Sequence, residues 1–346
     1  MPYLSLYRKW RSQTFAEVVG QKHIVQTLTY ALEKEQTSHA YLFCGPRGTG
    51  KTTMAKLLAK ALNCSGRKGA EPCNICSQCR QINNGAAMNV FEIDGASNRG
   101  IEEIRDLREN AKYLPTEGKY KVYIIDEVHM LTMEAFNALL KTLEEPPRHV
   151  VFIFATTEPY KIPVTILSRC QRFDFQRFSI EEISNHLWHI AAKEGYSGDE
   201  HAFRLIALQA KGGMRDAIGL LEQVASFGQG NISLENVRKA LGRVEEEVLI
   251  DIIQKISAND LAGTINLFRE MAMKGLDLWH FYQELIQFVR DILLLCCGGE
   301  QAEGLIQRTI DIRKKMKQIA VEAKKDVLYR QLDMLVKAEG DIKRQA

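Results

Sequence analysis

Eight consecutive residues, Gly45, Pro46, Arg47, Gly48, Thr49, Gly50, Lys51 and Thr52, reproduce the G-x-x-x-x-G-K-[ST] phosphate-binding pattern. Each part answers a separate demand of a bound polyphosphate. Glycines let the backbone curl into a nest of N–H groups, and a helix after the loop adds the positive end of its dipole. Lys51 supplies a cation to the β- and γ-phosphates, the Thr52 hydroxyl completes a Mg²⁺ shell, and Thr53 extends the same run. Farther along, Tyr123-Ile124-Ile125 ends in Asp126 and Glu127. Such a pair alone could simply cap the next helix. Behind a phosphate loop it reads as Asp126 holding Mg²⁺ through water and Glu127 polarising the water that attacks the γ-phosphate. A third polar point follows the apolar run 150–155, at Thr156 and Thr157. A hydroxyl there would orient the attacking water or report the γ-phosphate, although threonine is also an ordinary strand residue. Arg169, in Ile-Leu-Ser-Arg-Cys, and Arg215, in Gly-Gly-Met-Arg-Asp-Ala, stand out as cations, although on residue type alone each reads as a surface or ion-pair residue rather than a catalytic one.

A second chemistry lies in Cys64, Cys73, Cys76 and Cys79, spaced C-x8-C-x2-C-x2-C. Four thiolates saturate tetrahedral Zn²⁺ and leave no open position, so the site reads as structural, tying down its own insert without touching the nucleotide. An iron–sulfur cluster is the alternative, but the Cys-Pro expected at the end of a ferredoxin-type run is missing after Cys79. Of the other cysteines, Cys44 and Cys170 read as small buried residues, and Cys296 and Cys297 as helix core.

Both sets need a rigid frame. From Ala40 to about Phe175, the runs 40–44, 90–94, 120–126, 150–156 and 172–175 read as strands. Helical patterns lie between them, carried by Met54, Leu57, Leu58 and Ala61, and by Met133, Phe136, Leu139, Leu140 and Leu143. Apolar strands alternating with helices predict an α/β domain over residues 1–178, a five-stranded parallel sheet with both faces covered and the cysteine insert at 64–79. Residues 179–242 lose the strand pattern and read as a small helical domain broken at Gly195, Gly212–Gly213 and Gly228–Gly230. Residues 243–346 read as an all-helical domain with breaks near Gly275 and Gly298–Gly299. Its last stretch, from Arg313, is Lys-rich and reads as a solvated helix face.

Length and composition agree with this division. A chain of 346 residues suits two or three domains of about 100–200 residues each. With 45% hydrophobic and 26% charged residues, it has the make-up of an ordinary globular protein. The formal charge of +3 excludes a globally basic surface, so any nucleic-acid contact must come from local clusters. Arg99, Arg105, Lys141 and Lys161 are the candidates, with plain surface charge as the competing reading. The opening residues are polar and basic and are not expected to form a signal peptide. The apolar run 292–297 falls far short of the ~20 residues of a membrane helix. Eight cysteines without a secretion signal then suggest a reducing, cytoplasmic setting and no membrane partner.

The phosphate loop, the DEVH sequence at 126–129, Ser168-Arg169-Cys170 and the segment 212–217 occur in an order that resembles the AAA+ clamp-loader ATPases. Within that group the chain is most similar to the gamma/tau subunits of bacterial DNA polymerase III. The resemblance runs from Leu6 to about Gly242, and its most specific pieces are residues 39–53, the four cysteines, 120–131, 136–147 and 161–173. It implies an AAA+ domain, a helical lid and a C-terminal oligomerisation collar. It also implies that Thr157 is the first sensor, that Arg215 is the second sensor on the lid, and that Arg169 is an arginine finger acting on a neighbouring subunit's ATP. Arg11 to Gln21, with Val18 and Val19, matches the stretch that contacts adenine.

The partners implied are further copies of the chain with delta and delta-prime type subunits in a pentamer, a sliding clamp and primer–template DNA. A tau form would extend beyond residue 346 and add polymerase and helicase. The cofactors implied are ATP, Mg²⁺ and structural Zn²⁺. The mechanism implied is ATP-driven opening of the clamp, followed by hydrolysis once DNA is bound. Two other functions compete. Protein-threading motors place an aromatic residue in the loop after the second strand, and Gly95–Gly100 has none. A non-hydrolysing scaffold would not need Lys51, Thr52, Asp126 and Glu127 intact.

Overall fold

The computed structural model describes residues 4–241, 246–273, 278–306, 308, 310–323 and 325–345. The chain divides into two compact units, Met1–Val237 and Arg238–Ala346. The expected boundary at Gly242–Arg243 and the expected break at Gly275 lie outside the described residues.

Five strands carry the first unit: β1 (Ala40–Cys44), β2 (Val90–Asp94), β3 (Lys121–Asp126), β4 (Val150–Thr156) and β5 (Gln171–Asp174). They pair in the order β2-β3-β4-β1-β5, and every pair is parallel. β3 begins one residue later than the sequence suggested, and β5 sits one residue earlier. Every residue of β1 and β4 is buried, because alternate side chains serve two different cores. Tyr41, Phe43, Ile124 and Ile153 join Met54, Leu57, Leu58 and Ala61 of the helix Lys51–Asn63. Leu42, Ile125, Phe152 and Phe154 join Phe136, Leu139 and Leu143 of the helix Met133–Glu144 on the other face. Each such large side chain contributes about 1.5–3 kcal/mol on burial, which holds the strands level. Met133, expected on that inner face, is instead 57% exposed. It is the first residue after the cap Thr132, whose Oγ1 accepts the Ala135 amide at 3.3 Å, so the helix has not yet turned inward.

The parallel register sets Cys44 beside both Thr156 and Asp174, and Asp94 beside Asp126. The chain therefore leaves several strands along one common edge. Beyond the sheet, the helix Ile180–Glu194 opens with a capping box between Ser179 and Glu182 and closes at Gly195 in the left-handed conformation. The helices Glu200–Gln209 and Met214–Phe227 follow. This part was expected to hold no strand, yet Ser197–Gly198 (β6) and Asn231–Ile232 (β7) form a short parallel pair. Two residues are too few to leave an alternating pattern in sequence.

In the second unit, helices Glu246–Ser257, Leu261–Met273, Leu278–Gly298, Ile310–Glu322 and Lys325–Gln345 surround a core containing Phe281, Phe288, Ile292, Met316 and Leu328. The helix ending at Gly298 passes into a 3₁₀ turn at Gly299–Leu305, where the glycine pair was expected to break it. Cys296 packs against this core, but Cys297 is exposed and is not core as expected. Adjacent helical residues point about 100° apart, so only one of the two faces inward. Arg308 lies over the Phe288 ring and pairs with Glu246 at 2.8 Å and Asp291 at 3.1 Å. Among the described residues no helix is long and apolar enough to cross a membrane.

Candidate nucleotide site and four-cysteine module

The loop Gly45–Gly50 joins β1 to the helix beginning at Lys51. Gly45 has φ +147°, and a Cβ there would come 2.5 Å from Phe175 O, so only glycine lets the loop leave the strand here. Gly48 has φ +78° and faces the Cα of Gly213, while its carbonyl accepts the Met214 amide at 3.0 Å. Lys51 is 6% exposed and its Nζ donates to Gly45 O and Pro46 O, both at 2.8 Å. Burial pulls its pKa below the usual lysine range, opposed by the carboxylates of Glu127 and Asp126. A cleft of about 610 Å³ opens here, lined by Gly45, Pro46, Arg47, Glu127, Thr157 and Arg177 among others.

The acidic pair meets the loop at the sheet edge. Thr52 Oγ1 donates to Asp126 Oδ2 at 2.7 Å, across 74 positions of sequence. A hydroxyl and a carboxylate oxygen at this spacing suit a hard divalent cation such as Mg²⁺. Glu127 leaves β3 in the left-handed conformation, φ +47°, which turns its side chain toward β4. Its Oε2 accepts the Thr157 hydroxyl at 3.0 Å and the Thr157 amide at 3.3 Å. Thr156 is fully buried and has a different partner, His129, whose Nδ1 lies 3.0 Å from Thr156 Oγ1 and 3.3 Å from Glu127 Oε2. His129 Nε2 lies 3.3 Å from Glu158. Sequence reasoning assigned His129 nothing. Its position two residues after Glu127, in a 3₁₀ turn, was the available sign.

Arg215 stands at the start of the helix Met214–Phe227 with its guanidinium carbon 4.8 Å from the Tyr7 ring centroid. Arg11 is half-buried near it, and burial lowers its pKa, with Glu92 opposing and Arg215 adding to the effect. Val18 and Val19 are partly buried, and Val18 packs on the core under the sheet. Arg169 is not among the residues lining the cleft. It pairs with Glu144 at 2.7 Å and donates to Thr165 O and Ser168 Oγ. The four surface cations fall on separate elements and all are exposed. Arg99 donates to Ala96 O, Arg105 pairs with Glu102, Lys161 pairs with Glu158, and Lys141 lies on the helix Met133–Glu144.

The four cysteines converge although they span a loop and a helix start. Their sulfurs all lie within 4.8 Å of one another, with Cys64 and Cys76 at 4.0 Å. Zn–S bonds of about 2.3 Å in a tetrahedron require sulfurs about 3.8 Å apart, so the donor set fits zinc. The sulfurs of Cys64, Cys73 and Cys76 accept the backbone amides of Cys73, Cys76 and Cys79. Burial pushes the Cys76 thiol up, but hydrogen bonds from the amides and side chains of Cys79 and Ser65 outweigh it and bring it to about 6.

Comparison with known proteins divides the chain in three. Residues 20–179 match the family described as DNA polymerase III, delta subunit. Residues 182–230 match the DNA polymerase III clamp loader subunit, ATPase lid domain, and residues 232–346 match DNA polymerase III subunits gamma and tau domain III. DNA polymerase III subunit tau of Bacillus subtilis is 43% identical over 99% of this chain and 61% of its own length. The tau subunit of Escherichia coli is 42% identical over 85% of this chain and 46% of its own length. The chain thus spans about half to three fifths of these tau relatives. DNA polymerase III subunit gamma of Buchnera aphidicola is 42% identical, over 84% of this chain and 81% of its own length. Among solved structures, the RuvB Holliday junction branch migration motor of Thermotoga maritima superposes with a TM-score of 0.53 at 18% identity. It covers 74% of this chain and 85% of that one, and it shows the shared fold alone.

Proposed function

Because the chain belongs to the gamma/tau family of DNA polymerase III clamp-loader subunits, we propose that it is the ATP-driven motor subunit of such a loader. It binds ATP at subunit junctions, opens a sliding clamp and closes it on primer–template DNA in the cytoplasm. The observation that carries this reading is the 2.7 Å contact between Thr52 and Asp126, with Glu127 beside it at the mouth of the same cleft. A phosphate loop without the acidic pair would support binding only, whereas this edge also offers a proton acceptor.

Position in the fold and the family resemblance together support the following residue roles. Backbone N–H groups of Gly45 to Thr53 cradle the phosphates, and Lys51 exchanges its two carbonyl partners for phosphate oxygens. Thr52 and Asp126 hold Mg²⁺, which supplies charge neutralisation on the phosphates. Glu127 takes the proton of the attacking water, while Thr157 and Arg215 read the γ-phosphate from the sheet and the lid. Val18, Val19 and Arg11 enclose the adenine. Arg169, whose partners lie outside its own cleft, serves the neighbouring subunit's ATP. Residues 1–178 act as the ATPase domain, 179–242 as the lid and 243–346 as the collar that joins copies of this chain to delta and delta-prime type subunits. Arg99, Arg105, Lys141 and Lys161 are the proposed DNA contacts. The four cysteines hold one structural zinc. In a tau form, polymerase and helicase attach beyond residue 346.

A stimulated ATPase measurement tests the reading. Hydrolysis by the reconstituted loader rises only when both clamp and primed DNA are supplied. A rate indifferent to the clamp excludes a loader, and no hydrolysis under any combination points to a scaffold.

A further inference from the structure

The four-cysteine module does more than close on itself, because two of its side chains grip the segment that precedes Val18. Glu71 accepts the Phe15 amide on Oε2 at 2.8 Å and the Ala16 amide on Oε1 at 2.9 Å, so one carboxylate caps two successive N–H groups. Asn74, left-handed with φ +58° between Cys73 and Cys76, donates Nδ2 to Gln13 O at 3.1 Å. Beneath both lies Lys60, 1% exposed, on the helix that begins at Lys51. Its Nζ donates to Gln13 O at 3.0 Å, Gln13 Oε1 at 2.8 Å and Asn74 Oδ1 at 2.8 Å. All three ammonium hydrogens are spent on joining the segment to the cysteine loop.

The charge arrangement explains why a lysine is tolerated at such depth. A four-thiolate zinc centre carries a net double negative charge. Burial pulls the Lys60 pKa down, and Cys79, Glu17, Cys64 and Glu71 oppose that effect. A buried cation without such company would be strongly disfavoured. On the far side, Phe15 is fully packed in the core and its carbonyl accepts the Val18 amide at 3.1 Å. Whatever fixes Gln13 to Ala16 therefore fixes where Val18 and Val19 stand.

We propose that the metal-closed module, acting through Glu71, Asn74 and Lys60, positions residues Gln13 to Val19 for the adenine end of the nucleotide. Zinc occupancy then sets ATP affinity. Glu71, Asn74 and Lys60 are positioning residues. The inference rests on the reading that Val18 and Val19 touch adenine, and it replaces the expectation that the module leaves the nucleotide untouched.

The test compares ATP with inorganic tripolyphosphate, which engages the phosphate loop but has no adenine. Both are titrated calorimetrically against the unaltered chain, Glu71→Ala, Asn74→Gly, zinc-stripped chain and a Val19→Asp control. Hydrogen exchange of residues 13–19 and bound zinc are measured in parallel. Asn74→Gly keeps the cysteine loop intact because glycine takes φ +58° freely. Each of the two module variants retains one zinc, exchanges faster at Phe15 and Ala16, and binds ATP about tenfold more weakly with tripolyphosphate unchanged. Zinc withdrawal produces both effects together. Normal ATP affinity in both variants and after zinc withdrawal overturns the proposal, as does an equal loss of tripolyphosphate binding, which would report general loosening. If Val19→Asp binds ATP normally, the adenine reading itself fails. If Val19→Asp weakens ATP while the module variants do not, only the positioning role falls.

Discussion

Glu127→Gln separates proton acceptance from every other task at the sheet edge. The glutamine oxygen can still accept the Thr157 hydroxyl and amide that now sit 3.0 and 3.3 Å from Glu127 Oε2. Those bonds lose their ionic assistance and about half their strength, so local order changes by about 1 kcal/mol at most. Lys51, Thr52 and Asp126 keep their own contacts. Removing a negative charge from the cleft can only favour a polyphosphate. Binding therefore stays at least as tight, while the amide is no longer a useful base. Losing a general base costs about 10²–10⁴ in rate, which corresponds to about 3–5 kcal/mol on the barrier. The assay is single-turnover hydrolysis in the assembled loader with clamp and primed DNA, alongside equilibrium ATP binding. The ATP-bound state should accumulate, with the clamp held and not released. A fall of less than about tenfold with normal binding would refute the assignment of Glu127 as base.

Lys51→Ala should weaken ATP binding by about 10–100-fold, the loss of a charge-assisted contact, and leave zinc content unchanged; wild-type affinity in an equilibrium titration would reject the phosphate site. Arg308→Met should destabilise the second unit by about 3–5 kcal/mol, because it strands Glu246, Glu284 and Asp291. Arg290, 2.8 Å from Asp291, moderates the loss. Hydrogen exchange in the helices Glu246–Ser257 and Leu278–Gly298 reads it, and a change below about 1 kcal/mol would mean the cluster is mere packing. Arg169→Ala subunits and Lys51→Ala subunits, each inactive alone, should recover partial hydrolysis when mixed, since some junctions then pair an intact loop with an intact arginine. No recovery in assemblies proven to be mixed would assign Arg169 to its own site.

What the sequence made legible was local. The phosphate loop needs contiguous residues, and β1, β3 and β4 needed only buried, largely apolar runs of five to seven residues, so both could be read without knowing the neighbours. The Asp126–Glu127 pair was readable because a strand of known direction carries it to the edge where the loop opens. Contacts bridging distant segments left no such trace. Glu71 reaches Phe15 across 56 positions and Lys60 reaches Gln13 across 47, and neither is part of a motif. A lysine in a helix pattern reads as a solvated side chain. Only the packed structure shows Lys60 fully enclosed.

The same reasoning explains why the N-terminal segment matters more than its polar composition suggests. Leu6 N donates to Glu222 Oε1 at 3.1 Å, and Trp10 Nε1 and Lys9 Nζ both donate to Glu194, at 2.7 and 2.8 Å. Both glutamates lie on helices of the lid. A few residues on, Gln13, Phe15 and Ala16 are held by the cysteine module. The segment is therefore strapped at one end to the lid and at the other to the four-cysteine insert, with Arg11 between them near Arg215. A strap fixed at two points transmits displacement that a free tail would dissipate. Main-chain and side-chain hydrogen bonds of residues 6–16 in this way join the helices Ile180–Glu194 and Met214–Phe227 to the four-cysteine module.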